Sequence, residues 1–436
     1  MSLIRKAYVM FVIVIILSAR ENCTATRPVT TKALLSTSLA DEYYAYSNVV
    51  DVRSFGAKGN GVTDDTNAFK VAWQAVCSKA SSTLHVPAAH SFLVGPITFS
   101  GPCKSKIIFE LYGTIIAHLN PKSGAANLWV WIDFSKLNGI TVVGNGVIDG
   151  QGAPWWKLSQ YDDMESDDYG DSLLSVKPTA LRFFGSFYVT VQGITIKNSP
   201  QFHLKFDTCT SVKVAGVTIS SPGNSPNTDG IHVQETSDVE IHHSSIACGD
   251  DCVSIQTGSS GIRVHNINCG PGHGISIGGL GKDQSKACVS NVSVYDSYIQ
   301  DASNGVRIKT WQGGVGSVKG VTFSNIQVSN VRIPIDINQF YCDKTTCRNQ
   351  SSAVFITGVT YQKIIGTYVD KPIYVACSND VPCTDLKMID INLKPAVAYH
   401  KDPFCLNSYG QSTVGCLRSG RPHNDPSRTQ SHGDAC

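Results

Sequence analysis

The 436-residue chain lacks a charge excess: 36 Lys and Arg stand against 34 Asp and Glu, a formal balance of +2. That removes the global basic field of a nucleic-acid-binding protein. After residue 19 it also lacks any apolar run long enough to cross a bilayer. The one long apolar stretch, Ala7–Ala19 behind the basic Arg5-Lys6 start, has the length of a signal-peptide core and is short for a span. Residues 1–25 therefore read as a signal peptide, cut after Ala19 or after Ala25, with no membrane association once it is removed. The glycine-rich stretch from Gly56 to Gly61 lacks a Gly-Lys-Ser/Thr ending, so it is not read as a phosphate loop. Acidic residues crowd positions 161–171, but without fixed ligand spacing they read as a solvated loop. His242 and His243 are consecutive on a strand pattern and should face opposite ways. No metal and no cofactor are assigned.

Cysteine is not scarce. Fifteen cysteines and a leader suggest an oxidising compartment. Loss of Cys23 with the leader would leave 14, an even number that does not itself fix pairing. The favoured local pairs are Cys252–Cys269, Cys342–Cys347, Cys377–Cys383 and Cys405–Cys416. Asn291-Val292-Ser293 and Asn349-Gln350-Ser351 are glycosylation acceptors in a secreted chain.

The informative stretch runs from Asn227 to Lys309. It holds Asn227-Thr228-Asp229-Gly230, Cys248-Gly249-Asp250-Asp251-Cys252, Gly272-His273-Gly274 and Arg307-Ile308-Lys309. Asp229 to Asp251 is 22 residues, and Asp251 to His273 is 22 again. Apolar pairs keep step behind each motif: Ile231/Val233, Val253/Ile255, Ile275/Ile277, Val306/Ile308 and Ile335/Ile337. Short alternating apolar segments at a repeat of this length, separated by turn residues, predict a solenoid of strands. Equivalent positions on successive coils would stack about 4.8 Å apart. Asp229, Asp250/Asp251 and His273 should then share one sheet edge on adjacent rungs, with Arg307 and Lys309 on the next. Asp250 and Asp251 can both reach one cleft only if the backbone bends, which Gly249 permits.

Carboxylates this close cannot all ionise freely, so at least one keeps its proton as a general acid. The others can activate water, and an acid with a base is the minimum for cleaving a glycosidic bond. Arg307 and Lys309 add a fork and a point charge suited to a carboxylate. An acidic polysaccharide is the expected substrate.

These motifs, in this order and spacing and with Tyr341 in Gln339-Phe340-Tyr341-Cys342-Asp343, resemble those of the plant polygalacturonases, pectin-degrading glycoside hydrolases. The resemblance spans about residues 51–416. It implies an all-β fold, a single right-handed parallel β-helix with an N-terminal capping helix, and hydrolysis with inversion. It implies that Asp250 is the general acid, that Asp229 and Asp251 activate water, and that His273 supports the acid. Asn227, Arg307, Lys309 and Tyr341 would hold the galacturonate. Rung counting alone suggests carboxyl separations near 5 Å, the retaining spacing; inversion is what the resemblance implies. The expected partner is the homogalacturonan of pectin in the cell wall, bound by a monomer. Xylogalacturonan and rhamnogalacturonan hydrolases stay open as alternatives, as does a non-catalytic pectin-binding β-helix. A calcium-dependent lyase is disfavoured by His273 and Lys309 within the acidic cluster.

Taken in order, residues 26–47 read as a flexible polar segment, 48–416 as the β-helix and 417–436 as a polar tail. Asp64-Asp65-Thr66 should cap a helix over residues 67–79 whose buried face carries Phe69, Val71, Ala72 and Ala75. Strands are expected over residues 83–86, 92–99, 106–117 and 140–148. Trp155-Trp156 reads as packing more than sugar stacking, and His203 as a structural histidine. Asn198, Asn266, Asn325 and Asn330 suit left-handed turns between strands.

Overall fold

The computed structural model describes residues 48–104, 106–118, 128–157, 177–343, 347, 349–420, 422 and 436. The leader, the 26–47 segment, the acidic 161–171 stretch and most of the tail lie outside these residues.

From Asn48 to Ser412 the chain winds as a parallel β-solenoid. Eleven short strands, from Ile97–Ser100 to Phe404–Leu406, stack into one sheet, each pairing in parallel with its neighbours on the coils before and after. The remaining strands form a larger sheet around the rest of each coil. The register of the eleven-stranded sheet fixes the coil lengths. Leu204 pairs with Ile231, Ile231 with Val253, Val253 with Ile275 and Ile275 with Val306. The 22-residue repeat therefore holds for two successive coils, and longer loops open on either side of them.

Alternation explains the core. Inward positions stack as a ladder, with Phe134, Phe183 and Phe206 ring on ring at 5.1 and 5.4 Å. The ladder continues as Val233, Ile255, Ile277, Ile308 and Ile337, all essentially inaccessible. Each such side chain contributes about 1.5–3 kcal/mol of burial, and a solenoid sums these contributions coil by coil. The four turn asparagines, Asn198, Asn266, Asn325 and Asn330, all lie in the left-handed region, at φ between 50° and 53°.

Three expected strands are each two. Residues 92–99 split at Gly95-Pro96 into Ser91–Val94 and Ile97–Ser100. Residues 106–117 and 140–148 split likewise, because a solenoid must turn a corner within each coil. The helix is Thr66–Cys77, and it buries Ala68, Phe69, Ala72, Trp73 and Val76. Val71 is exposed instead, and Trp73 takes the central place against Phe99 and Phe134. This helix covers the first coil, whose end would otherwise expose apolar rungs. Asp65 does not cap it through its side chain. Its carboxylate accepts the backbone N–H groups of Lys58 and Gly59 and ties the glycine-rich turn to the helix start; Asp64 takes the N–H of Thr66.

All four favoured disulfides are present, joined by Cys77–Cys103 and Cys288–Cys436. Cys209 and Cys248 are buried thiols. Trp155 is buried, in line with packing. His242 and His243 do not point apart. His243 sits at φ 51°, which ends the strand alternation, and the two Nδ1 atoms are 2.7 Å apart.

Candidate active site

The acidic residues sit just ahead of strands Ile231–Gln234 and Val253–Ile255. Asp229 and Asp251 each precede an inward residue by two positions, so a regular strand would point both into the core. A bend at each coil turns them outward, and two glycines permit the close approach. A Cβ on Gly249 would lie 1.8 Å from the Ser225 carbonyl oxygen, and one on Gly230 2.5 Å from that of Cys252. Gly249 thus serves backbone packing rather than an unusual dihedral angle.

The three carboxyls have different surroundings. Asp251 is buried, and both its oxygens are paired. Oδ1 accepts from Arg307 Nη2 at 2.6 Å and Ser276 Oγ at 2.7 Å; Oδ2 accepts from Lys309 Nζ at 2.9 Å. Burial alone would raise its pKa, but Lys309 and Arg307 outweigh burial and hold it at about 2. Asp229 is also buried and lacks such cations in contact. Burial, then the charges of Asp250 and Asp251, push it well above the ordinary carboxylate range. Asp250 is partly open to solvent, and its Oδ1 accepts the backbone N–H of Asp251 and lies 2.9 Å from His273 Nδ1.

Two further histidines support Asp229. His203 is fully buried and kept neutral, its pKa pushed down to about 4 by burial. Its Nδ1 donates to the Asp229 carbonyl oxygen at 2.8 Å and its Nε2 accepts from Ser221 Oγ at 2.7 Å, the structural role expected for it. His232 was not anticipated. Its Nδ1 is 2.9 Å from Asp229 Oδ2, and its ring stacks on Phe202 at 4.1 Å. Burial, then Lys205, pulls its pKa to about 3. The His232–Asp229 contact is therefore a hydrogen bond to a neutral ring, not an ion pair.

A groove of about 360 Å³ opens over this cluster, lined by Asn227, Asp229, His232, Asp250, Asp251, Gln256, Lys309, Trp311 and Tyr341 among others. Lys309 Nζ lies 5.2 Å from the centre of the Tyr341 ring, and Trp311 meets Tyr341 edge-on. A larger depression of about 520 Å³ beside Thr384 and Lys387 has no comparable cluster. Six of the eight residues singled out from the sequence line the groove. The other two are bonded to carboxyls in it: His273 to Asp250, and Arg307 to Asp251. Arg307 lies behind Asp251, with Nε on Ser276 Oγ, Nη1 on Asn304 Oδ1 and Nη2 on Asp251. Its donors hold Asp251 rather than facing the groove. Ligand atoms of Asp250, Asp251 and His273 come within 4.8 Å of one another. A cation there would compete with the two that Asp251 already holds, so the donor set does not favour a metal.

His232, Ser254, Ser276 and Arg307 follow one another in strand register. The signal that could have found His232 and Ser276 was the outward position between the paired apolar residues of each repeat.

A parallel solenoid bearing buried and exposed carboxyls in one open groove, with a lysine among them, is the site of a carbohydrate-cleaving hydrolase. The chain belongs to the glycosyl hydrolases family 28, whose description matches residues 77–413. It is 44% identical over 364 residues to a polygalacturonase of Cryptomeria japonica, covering 83% of this chain and 69% of that one. Its fold is that of an endo-xylogalacturonan hydrolase from Aspergillus tubingensis, with a TM-score of 0.71 at 22% identity, covering 86% of this chain and 99% of that one. The polygalacturonase of Erwinia carotovora gives a TM-score of 0.64 at 22% identity, covering 92% and 100%. The winding is right-handed, as in these neighbours.

Proposed function

We propose that this chain is a polygalacturonase that hydrolyses α-1,4 bonds between galacturonate units of pectin, with inversion at the anomeric carbon. The observation that carries this reading is the groove itself, which is lined by three carboxyls and by Lys309, bonded to one of them. Asp251 is held ionised by Lys309 and Arg307, while burial pushes Asp229 up. Asp250 is more exposed than Asp229, which suits a general acid that must meet a leaving-group oxygen. In the proposed reaction Asp250 gives a proton to the leaving group, and Asp229 and Asp251 orient a water and take its proton. His273 supports Asp250. Lys309, with Asn227 and Tyr341, seats the galacturonate carboxylate; a desolvated cation over an aromatic ring suits that anion. Arg307 acts through Asp251.

Six disulfides among the described residues fit an oxidising, extracellular setting. Both acceptor asparagines, Asn291 and Asn349, are exposed. No helix among the described residues is long and apolar enough to cross a membrane. The proposed place of action is the cell wall.

The test is incubation with polygalacturonic acid. Reducing ends should appear with no unsaturated uronate absorbance, and chelator should not stop their release. The first anomer seen by proton NMR should be inverted. Unsaturated products would transfer the protein to lyase chemistry, and binding without product would make it a pectin-binding β-helix.

A further inference from the structure

Arg307 is anchored from behind as well as in front. Strand register places Ser276, Arg307 and Asp336 on three successive rungs of the same outward column. Asn304, three residues before Arg307, bridges the last two. Its Oδ1 accepts from Arg307 Nη1 at 3.2 Å, and its Nδ2 donates to Asp336 Oδ2 at 2.7 Å. Asp336 is only 6% exposed, and its other oxygen, Oδ1, has no hydrogen-bond partner among the described residues.

We propose that Asp336 and Asn304 are positioning residues of the hydrolytic site: the chain Asp336–Asn304–Arg307–Asp251 fixes the guanidinium that holds the catalytic Asp251 in place. This inference rests on the polygalacturonase reading above. The physical reason lies in the amide. A carboxylate can only accept and a guanidinium can only donate, so the two together leave Asn304 one orientation. Without the acceptor at position 336 the Asn304 NH2 loses its partner, the amide is held only by the Arg307 and Ser303 donors on its Oδ1, and the rear support of the fork loosens. A buried carboxylate would not otherwise be expected one rung from a catalytic cluster unless its charge were used.

Titration should pass along the same chain. Asp336 faces Arg307, Lys309, Arg332 and Lys371, with Tyr361 and Tyr374 close by. Burial lifts its pKa to about 6 against those four cations. Asp251 faces Lys309, Arg307, Ser276, Asp229, Asp250 and His232. Loosening Arg307 removes one of the two cations that depress Asp251. Its pKa then rises, and the ionised base is lost at a higher pH on acidification.

The experiment compares wild type with Asp336→Leu and Asp336→Asn, reading turnover on polygalacturonate against pH, melting temperature and a crystal structure of each variant. The asparagine variant is isosteric, removes a buried charge and is expected to fold. In Asp336→Leu, kcat should fall about tenfold or more, as misplacement of a supported group costs, with KM within about twofold. The acid limb should move to higher pH, and Arg307 Nη2 should leave Asp251 Oδ1. Asp336→Asn, which keeps an acceptor, should lie nearer wild type on every measure. Folded variants that keep wild-type kcat, acid limb and the Arg307–Asp251 contact overturn the proposal, as does a loss confined to KM. Should the Asp336→Leu variant not fold, Asn304→Ala, which removes the bridge itself, decides: a measurable loss of kcat with a moved acid limb supports positioning, and wild-type behaviour overturns it. An inert wild type would instead overturn the polygalacturonase reading, and the crystallographic contact would still decide the positioning role.

Discussion

Replacing Lys309 by methionine should weaken the fold and shift the acid side of the activity profile together. The substitution keeps the length of the side chain and removes the cation on Asp251 Oδ2. Asp251 titrates at about 2 instead of the ordinary 3.8, although burial pushes it the other way. At about 1.4 kcal/mol per pH unit, that gap is worth about 2–3 kcal/mol in favour of the ionised form. Lys309 is the largest depressing influence, with Arg307 second. Losing it leaves a buried carboxylate oxygen unpaired, which typically costs about 3–5 kcal/mol where no partner remains. Arg307 and Ser276 still hold Oδ1, so about 2–3 kcal/mol is expected. The sign follows from a depressed acid: its stabilisation is present above the unfolded value and lost as pH falls through the folded one. The melting-temperature gap between wild type and Lys309→Met should therefore be widest from pH 5 to 7 and narrow as pH falls toward about 2. The acid limb of kcat/KM should rise by about one pH unit or more. KM should increase more on de-esterified than on methyl-esterified pectin, since only the former offers a carboxylate to that position. Pairs of pH-dependent melts and pH–rate profiles on both substrates make the measurement. An unmoved acid limb with an unchanged melt at pH 6 would refute the assignment of Lys309 as the partner that keeps Asp251 charged.

Asp250→Asn should lower turnover by about a thousandfold or more while leaving oligogalacturonide binding within a few-fold, because it removes the proton donor and little else; titration calorimetry beside reducing-end assays checks this, and near-wild-type turnover would remove Asp250 from the acid role. His203→Phe should cost about 1–3 kcal/mol by stranding Ser221 Oγ and the Asp229 carbonyl; denaturant unfolding measures it, and an unchanged midpoint would show that neither bond matters to stability. The Cys252→Ser/Cys269→Ser pair should lower stability by about 2–4 kcal/mol and depress activity on heating before it does so at 25 °C, since Cys252 adjoins Asp251 and anchors the bend; equal heat inactivation of both proteins would argue against that anchoring.

Much of this was legible because a solenoid writes its geometry into the sequence. The spacing of Asp229, Asp251 and His273 at 22 residues, with apolar pairs in step, announces adjacent rungs. The same periodicity located the core ladder, the turn asparagines and the local disulfides, all of which depend on short-range or repeat-range contacts. It failed where the coil departs from regularity. Strands were read straight through corners at Gly95-Pro96 because both halves are apolar, and His242 and His243 were read as a regular strand although the second lies in a turn.

The sequence by itself determined which residues stack on neighbouring rungs, since pairing register follows from the repeat. Only the tertiary structure decided what each does there. Asp229 and Asp251 are the same residue type at equivalent positions, yet one is pushed up by burial and the other held down to about 2. The difference comes from two cations supplied a coil beyond His273, which reach back to Asp251 and not to Asp229. Arg307 faces Asp251 rather than the groove for the same reason: its orientation is set by Ser276, Asn304 and Asp251 in three dimensions. Charge is written along the chain, but the field at each carboxyl depends on distance and burial, which exist only after winding.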